Sequence, residues 1–460
     1  MTTAIQDRQS LIATMIQDKA WDKLEALLSK MPAIEVAEAL QALEPRKALR
    51  VLSVFKMEAQ ASVFVDLPAK KQEELFNLLD KRRFSKIFQE MPSDKRADFY
   101  QSLTATEQAA LMPFLSKAIR ENVLELSAYP HDTAGGIMNT DFATIRLKMT
   151  VSQALEKVRR DAPSGKMLYY IYVVDEQKHL VGFVTLKRLV LAEPTQNVSE
   201  ILHTEYIHSM ITDDREEVAR LIEKYDLVAI PILNEYDQLV GIVSHDDAMD
   251  VLRKEQSEDL QKIMGIRVAD EEAGYLETPV MRHFSKRIVW LVALAAFGII
   301  SGLVLHQYEG LLNKLVVLAV YMPMLADTGG NAGSQSSTVV IQALSVGEVK
   351  FSHWFKVMLK EASISTMLAI CLGVLAFAKV AFLSSATELP SELSLSYVAF
   401  VIAVAISLQV ISSSIIGALL PLTVKRLGGD PAVVASPAIT TIVDITGLMI
   451  YFGLASWLLL

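Results

Sequence analysis

Cysteine is nearly absent. One residue, Cys371, occurs in 460, so no intramolecular disulfide can form. The amino-terminal stretch MTTAIQDRQSLIATMIQDKAW has no basic segment followed by an apolar run. It reads as lacking a secretory signal, which places roughly the first 280 residues in the cytoplasm. Basic residues are outnumbered, 44 Lys+Arg against 53 Asp+Glu, and from Thr278 onward the counts are only 10 and 8. The excess of acid therefore lies before Thr278, which argues against nucleic acid and for cations as partners. In Pro431 to Leu460 Asp444 is the single charge. A carboxylate inside a bilayer costs on the order of several kcal/mol, so an ion pathway is its first reading, ahead of an acid held protonated or paired for packing.

Residues of about 10 to 128 read as short helices in a loose repeat. Pro45, Pro68 and Pro92, spaced by 23 and 24 residues, each suit a first helical position, and the Leu and Phe that follow keep helical spacing. Units this short bury a face only by stacking, so a helical array is expected. A clearer repeat follows. Ile171–Thr185 (IYVVDEQKHLVGFVT) aligns without gaps on Ile230–Ser244 (IPILNEYDQLVGIVS) at an offset of 59. Each copy reads as strand, polar turn, strand and helix, with an amphipathic helix upstream. The acidic stretch Glu255 to Glu277 reads as a connector that opens as a helix.

Five spans are expected after it: Ile288–Leu305, an interrupted one from Leu315, Ala362–Ala378, Leu393–Val424 and Pro431–Leu460. The second apolar run breaks at Asp327 into DTGGNAGSQSST. Polar or irregular backbone at that depth is tolerated only against protein or water. Arg282, Lys286, Arg287, Lys350, Lys356, Lys360, Lys425 and Arg426 fall on one side. Lys314 and Lys379, with Glu309, Glu388 and Glu392, fall on the other. The positive-inside rule then puts the amino-terminal domains in the cytoplasm of a multi-pass inner-membrane protein and the carboxyl terminus outside.

Only Asp327 and Asp444 are expected well inside the spans, without His or Arg. Oxygen-only chemistry suits hard cations such as Mg²⁺ or Ca²⁺. Two carboxylates are too few to dehydrate Mg²⁺, so a largely hydrated ion is easier to recognise. Facing copies of Asp444 across a two-fold axis would form a ring of charge −2. Thr440 lies one turn before it on the same face. Asn331 and Asp327 are read as pore-lining. Gly329, Gly330 and Gly333 are open to either of two readings, close approach of an ion or small-residue helix packing.

Two resemblances follow from these residues. The tandem repeat resembles a pair of CBS domains, a module that often binds adenosine nucleotides. In that family an acid three residues after the Thr/Ser commonly holds a ribose; here Asp247 fills that place in the second copy, but Arg188 in the first, which puts nucleotide binding in the first pocket in doubt. The whole chain, through DTAGGIM (132–138), ADTGGNAGSQS and PAITTIVDITGL, resembles the MgtE family of magnesium channels. The resemblance implies a helical N domain over 1–130, CBS repeats over 131–200 and 201–254, a plug helix over 255–277, and a five-helix pore domain over 278–460. It also implies a homodimer in the lipid bilayer with the pore at its axis. Asp444 matches the selectivity carboxylate and Thr440 a position lending a carbonyl. Cytosolic Mg²⁺ is implied to close the pore through Glu58, Asp94, Asp98, Gly136, Asp214, Glu223, Asp226, Asp247, Asp250, Glu255, Glu258 and Asp259. Ser436 departs from the pattern, since a relative has Asn there.

The bottom-up rationale for such a sensor is that unpaired acids on facing surfaces repel until a divalent ion bridges them. Other readings are a transporter for Ca²⁺, Mn²⁺ or Co²⁺, a carrier of anions or organic solutes, for which too few basic residues reach the spans, and an intramembrane aspartyl protease. The last would need Asp327 and Asp444 a hydrogen bond apart, and no Gly-x-Gly-Asp context is present.

Overall fold

The computed structural model describes residues 12, 14–15, 18, 20–28, 30–161, 169–267, 275–276, 278–385, 389–390, 393–434 and 436–460. Two compact units divide the chain, Met1–Glu255 and Gln256–Leu460.

Among the described residues from Trp21 onward, the first unit runs through nine short helices: α1 Trp21–Leu28, α2 Ala33–Gln41, α3 Pro45–Leu52, α4 Met57–Val65, α5 Ala69–Leu78, α6 Lys81–Glu90, α7 Ser93–Ser102, α8 Ala105–Leu111 and α9 Lys117–Leu126. From α2 to α6 each packs mainly on the next but one, which makes the stacked array expected of units too short to stand alone. Pro45 is the first residue of α3, whereas Pro68 and Pro92 sit one residue earlier, as N-caps of α5 and α7. Either place suits a residue without an N–H. The core is aromatic. Phe64, Phe76, Phe84, Phe88 and Phe99 are buried, and the Phe84 ring centroid lies 5.2, 4.9, 6.1 and 5.3 Å from those of Phe64, Phe76, Phe88 and Phe99.

Two three-stranded sheets follow. Strands β1 Thr144–Arg146, β2 Tyr170–Val174 and β3 Leu180–Thr185 form one, with α10 Val151–Asp161 before β2 and α11 Leu186–Leu191 after β3. Strands β4 Ser209–Met210, β5 Ala229–Leu233 and β6 Leu239–Ser244 form the other, with α12 Arg215–Lys224 before β5 and α13 His245–Ile263 after β6. The repeat extends to register: Tyr170 pairs with Thr185 as Ala229 does with Ser244, and the register shifts at Val173/Val174 as at Ile232/Leu233. The proposed boundary at 254/255 falls inside α13, which runs without a break. Of the connector, 268–274 and Glu277 lie outside the described residues.

The second unit holds α14 Val280–Gln307, α15 Glu309–Lys314, α16 Val316–Ser345, α17 Trp354–Leu383, α18 Leu395–Arg426 and α19 Ser436–Leu459. Among the described residues four helices are long and apolar enough to cross a membrane: α14, α17 with the turn before it, α18 and α19. Helix α16, equally long at 30 residues, is not among them because of its polar middle. That middle is not a break. The helix runs through Pro323 and the entire DTGGNAGSQSST stretch, so the expected interruption is corrected. Small residues on one face let it pack, and the unbroken helix satisfies its own backbone. Glu388 and Glu392 lie outside the described residues, as does the Ser436 side chain.

Replacing Phe84 by Ala removes the ring shared by four neighbours. The expected loss is about 3–5 kcal/mol, read as a lower urea midpoint for proteolytic cleavage within α2 to α9.

Candidate ion pathway and cation-sensing acids

Asp444 lies in the middle of α19, half-buried, and its Oδ1 is enclosed without a hydrogen-bond partner. Thr440, one turn earlier, packs on Gly330 of α16: a Cβ at Gly330 would come within 3.1 Å of the threonine methyl. Gly333 and Gly417 hold α16 against α18. A Cβ on Gly417 would lie 2.2 Å from the Gly333 carbonyl oxygen, and one on Gly333 would lie 3.1 Å from that of Ser413. For these glycines the packing reading wins, because each faces a helix.

Four polar side chains of α16 turn the other way. Asp327, Asn331, Gln335 and Thr338 are all exposed, and their spacing places them in one stripe along the helix. Asn331 Nδ2 donates to Asp327 Oδ1 at 3.0 Å. Asp327 is thus partnered by Asn331, and no hydrogen bond joins the Asp327 and Asp444 carboxyl groups among the described residues. The protease dyad has no geometric support here.

A third acid was missed. Glu361 was placed just outside a span starting at Ala362, but α17 begins at Trp354, so it sits two turns inside. It is buried and accepts a hydrogen bond from Ser336 Oγ of α16 at 2.8 Å. The signal available in the sequence was the apolar run WFKVML before it, which extends the helix past the two lysines.

In the first unit four of the candidate acids, Asp94, Asp247, Glu255 and Asp250, already have a basic side chain beside them. Lys95 Nζ lies 3.2 Å from Asp94 Oδ2 and 3.2 Å from Asp247 Oδ1, so an ammonium ties α7 to the first turn of α13. Asp247 also accepts from the Ser244 hydroxyl. Asn139 Nδ2 donates to Asp94 Oδ1 at 2.7 Å, and Ser93 binds Asn139 and Asp141. Burial pushes the Asp94 carboxyl up to about 6 although Lys95 opposes it; Asp247 and Asp98 add to the rise. Burial works against the Lys95 charge too, but Asp94 and Asp247 hold its proton well above the usual lysine range.

Glu255 is 2.7 Å from Arg215 Nη2. Asp250 has an exposed partner in Arg253 at 3.4 Å. Asp214 caps α12 by accepting from Glu216 N at 2.7 Å, and a bridge pairs it with Thr133. That bridge brings it to the turn of Gly136, where a Cβ would meet the Pro130 carbonyl oxygen at 2.2 Å. Glu58, Asp98, Glu223 and Asp226 are exposed, while Glu258 and Asp259 are half-exposed on α13. Among the described residues no three His, Cys, Asp or Glu side chains converge as a metal-holding group. At Asp94, Asp247, Glu255 and Asp250 a protein cation occupies the place beside the carboxylate.

The carboxyl end of α13 is anchored within the second unit. Lys262 Nζ lies 2.9 Å from Asp430 Oδ2, in the loop before α19. Gly265, at φ +67°, lies against Trp290 of α14, where a Cβ would come within 1.8 Å of the ring. Arg267 N donates to the Lys286 carbonyl at 3.0 Å.

Around the sheets, a cavity of about 360 Å³ is lined by Tyr170, Tyr172, Phe183, Tyr206 and Pro231 among others. Arg188, in the ribose-acid position of the first repeat, bonds through Nη1 to His203 Nε2 at 2.8 Å.

Known proteins match along the whole chain. A divalent cation transporter family model, MgtE, matches 322–454, the MgtE intracellular N domain model matches 31–132, and the CBS domain model matches 134–194 and 198–254. The magnesium transporter MgtE of Thermus thermophilus is 33% identical over 96% of this chain and 99% of its own. That of Bacillus subtilis is 29% identical over 97% and 96%. The crystal structure of the soluble part of a magnesium transporter matches with a TM-score of 0.51 at 26% identity, over 55% of this chain and 99% of that one. With one such relative spanning nearly its whole length, the chain belongs to the MgtE family of magnesium transporters, membrane proteins and not enzymes.

Proposed function

We propose that this chain is a Mg²⁺-selective channel that admits the hydrated ion at a two-fold axis between two copies. The observation that carries this reading is the exposed stripe Asp327, Asn331, Gln335 and Thr338 on a helix packed among apolar spans. Such a stripe cannot face lipid, so it needs water or a second copy. Thr440 and Asp444 lie on the helix packed against it. Two Asp444 carboxylates facing the axis would attract a divalent ion that keeps its water shell, with Thr440 lending its carbonyl and Asn331 bonding that shell. Lysines and arginines favour α16 as a span, with the amino-terminal unit in the cytoplasm and the carboxyl terminus outside.

Closure by cytosolic Mg²⁺ is the second part of the proposal. To be bridged, Asp94 and Asp247 must exchange Lys95 for the ion, and Glu255 must exchange Arg215. The remaining acids Glu58, Asp98, Asp214, Glu223, Asp226, Asp250, Glu258 and Asp259, with Gly136 beside Asp214, would contribute further weak contacts that shift the population toward the closed state. The anchoring of α13 through Lys262 to Asp430 gives that shift a mechanical route to the loop preceding α19. Nucleotide has no place in this reading. Arg188 replaces one ribose-holding acid, and Asp247, the other, is held by Lys95 and Ser244.

Asp444→Asn, reconstituted in liposomes, is expected to lose Mg²⁺ selectivity over Ca²⁺ while the oligomer remains intact by size-exclusion chromatography; an unchanged flux ratio would remove Asp444 from the pathway. A pH dependence follows from Asp94. Its folded value near 6 exceeds the unfolded one near 3.9, so its contribution to the junction is complete below about pH 4 and is lost as pH rises through 6. Without divalent ions, hydrogen exchange of α7, corrected for intrinsic rates, is expected to slow between pH 7 and 5, and Asp94→Asn should flatten that profile. Calorimetry on the full chain is expected to show no micromolar ATP binding.

A further inference from the structure

Gln409 is a fully buried polar side chain of the second unit that neither the sequence patterns nor the proposed pathway uses. It lies on α18, fully enclosed. Its Nε2 donates to the backbone carbonyl of Val443 on α19 at 3.0 Å, one residue before Asp444. Two glycines on two other helices make room for its amide. A Cβ on Gly329 of α16 would come within 2.2 Å of Nε2; one on Gly447 of α19 would come within 2.2 Å of Nε2 and 2.3 Å of Oε1. One side chain thus interlocks three helices. The remaining amide oxygen, Oε1, is buried without a partner. A leucine or methionine of similar size would fill the slot without that cost, so packing alone does not account for a glutamine here.

The bond to Val443 fixes what the apolar contacts leave free. Helices in lipid gain little from burying apolar faces against each other, so their rotation is set by close packing and interhelical hydrogen bonds. A helix turns about 100° per residue, so even part of one step would swing the Asp444 carboxylate away from its present direction. Two further cross-helix bonds hold the later part of α19: Tyr451 Oη donates to the Leu318 carbonyl at 2.9 Å and Tyr397 Oη to that of Leu458 at 3.1 Å. Gln409 acts at the turn that carries Asp444.

We propose that Gln409 is a positioning residue for ion selection: its amide, seated between Gly329 and Gly447, sets the rotation of α19 and so the direction in which Asp444 faces. This rests on the reading of Asp444 as the selecting carboxylate, and the experiment separates the two. Full-length Gln409→Leu, Gly447→Ala and Asp444→Asn proteins are reconstituted in liposomes, and the Mg²⁺ to Ca²⁺ flux ratio is measured together with the thermal midpoint and the folded fraction. Gln409→Leu keeps the volume and removes the donor; Gly447→Ala keeps the donor and displaces it. Both are expected to lower the ratio several-fold, normalised to folded protein, in the direction taken by Asp444→Asn.

If Asp444→Asn changes the ratio and both other variants keep the wild-type value, Gln409 is a packing residue and the inference is overturned, with the Asp444 reading intact. If Asp444→Asn itself leaves the ratio unchanged, that reading fails and the inference falls with it. Should Gln409→Leu not fold, Gly447→Ala decides alone. The double variant Gln409→Ala/Gly447→Ala, which refills the slot without the hydrogen bond, gives a final check. Recovery of the wild-type ratio there would also overturn the proposal.

Discussion

Close approach at glycines between α16, α18 and α19 is the constraint on which the rest of the second unit depends. Gly417 meets the carbonyl of Gly333, and Gly333 that of Ser413; a single added methyl at either site would separate the helices. In lipid, van der Waals contact and interhelical hydrogen bonds must replace the hydrophobic drive available in water. Once the small residues of α16 are committed to that face, its Asp, Asn, Gln and Thr have only the opposite face to occupy. The same segment therefore supplies a packing surface and a polar stripe, and neither could be moved without moving the other.

In the first unit the governing fact is that acids brought near one another are given protein cations. Lys95 serves two carboxylates from different parts of the chain, and Arg215 serves Glu255. A divalent ion arriving at Asp94 and Asp247 does not meet bare repulsion; it competes with an ammonium. Only the difference between the two bound states contributes to a shift in conformation. Each exchange is then worth little alone, which is why a sensor built on this pattern needs many acids acting together.

The 59-residue offset carried not only the two repeats but their strand register and its irregularity, because alternation fixes which residues face inward. Asp444 was legible as a lone charge. The supposed interruption of α16 was misread, because polarity was taken for irregular backbone; small polar residues are compatible with a helix when its neighbours or water accept them. Glu361 was lost to a boundary drawn at the last charge, although a helix entering a membrane keeps charges in its first turns. Lys95 and Gln409 had no sequence signal. Asp247 lies 152 residues from Lys95 and Val443 34 from Gln409, and only the fold brings them together.

The two sets of carboxylates are treated in opposite ways, and lipid explains why that is informative. A soluble acid can exchange one cation for another at small net cost, since water or lysine waits as the alternative. Among the described residues Asp444 has an enclosed oxygen with no hydrogen-bond partner. In a two-fold assembly a second copy would add like-charge repulsion to the cost of burial. Such a pair would be relieved by a cation between the two carboxylates or by a proton shared between them. The protein must then prevent the carboxylate from turning toward some internal donor instead. Holding the Val443 carbonyl rigidly, at the expense of one unsatisfied amide oxygen, is a means of doing so.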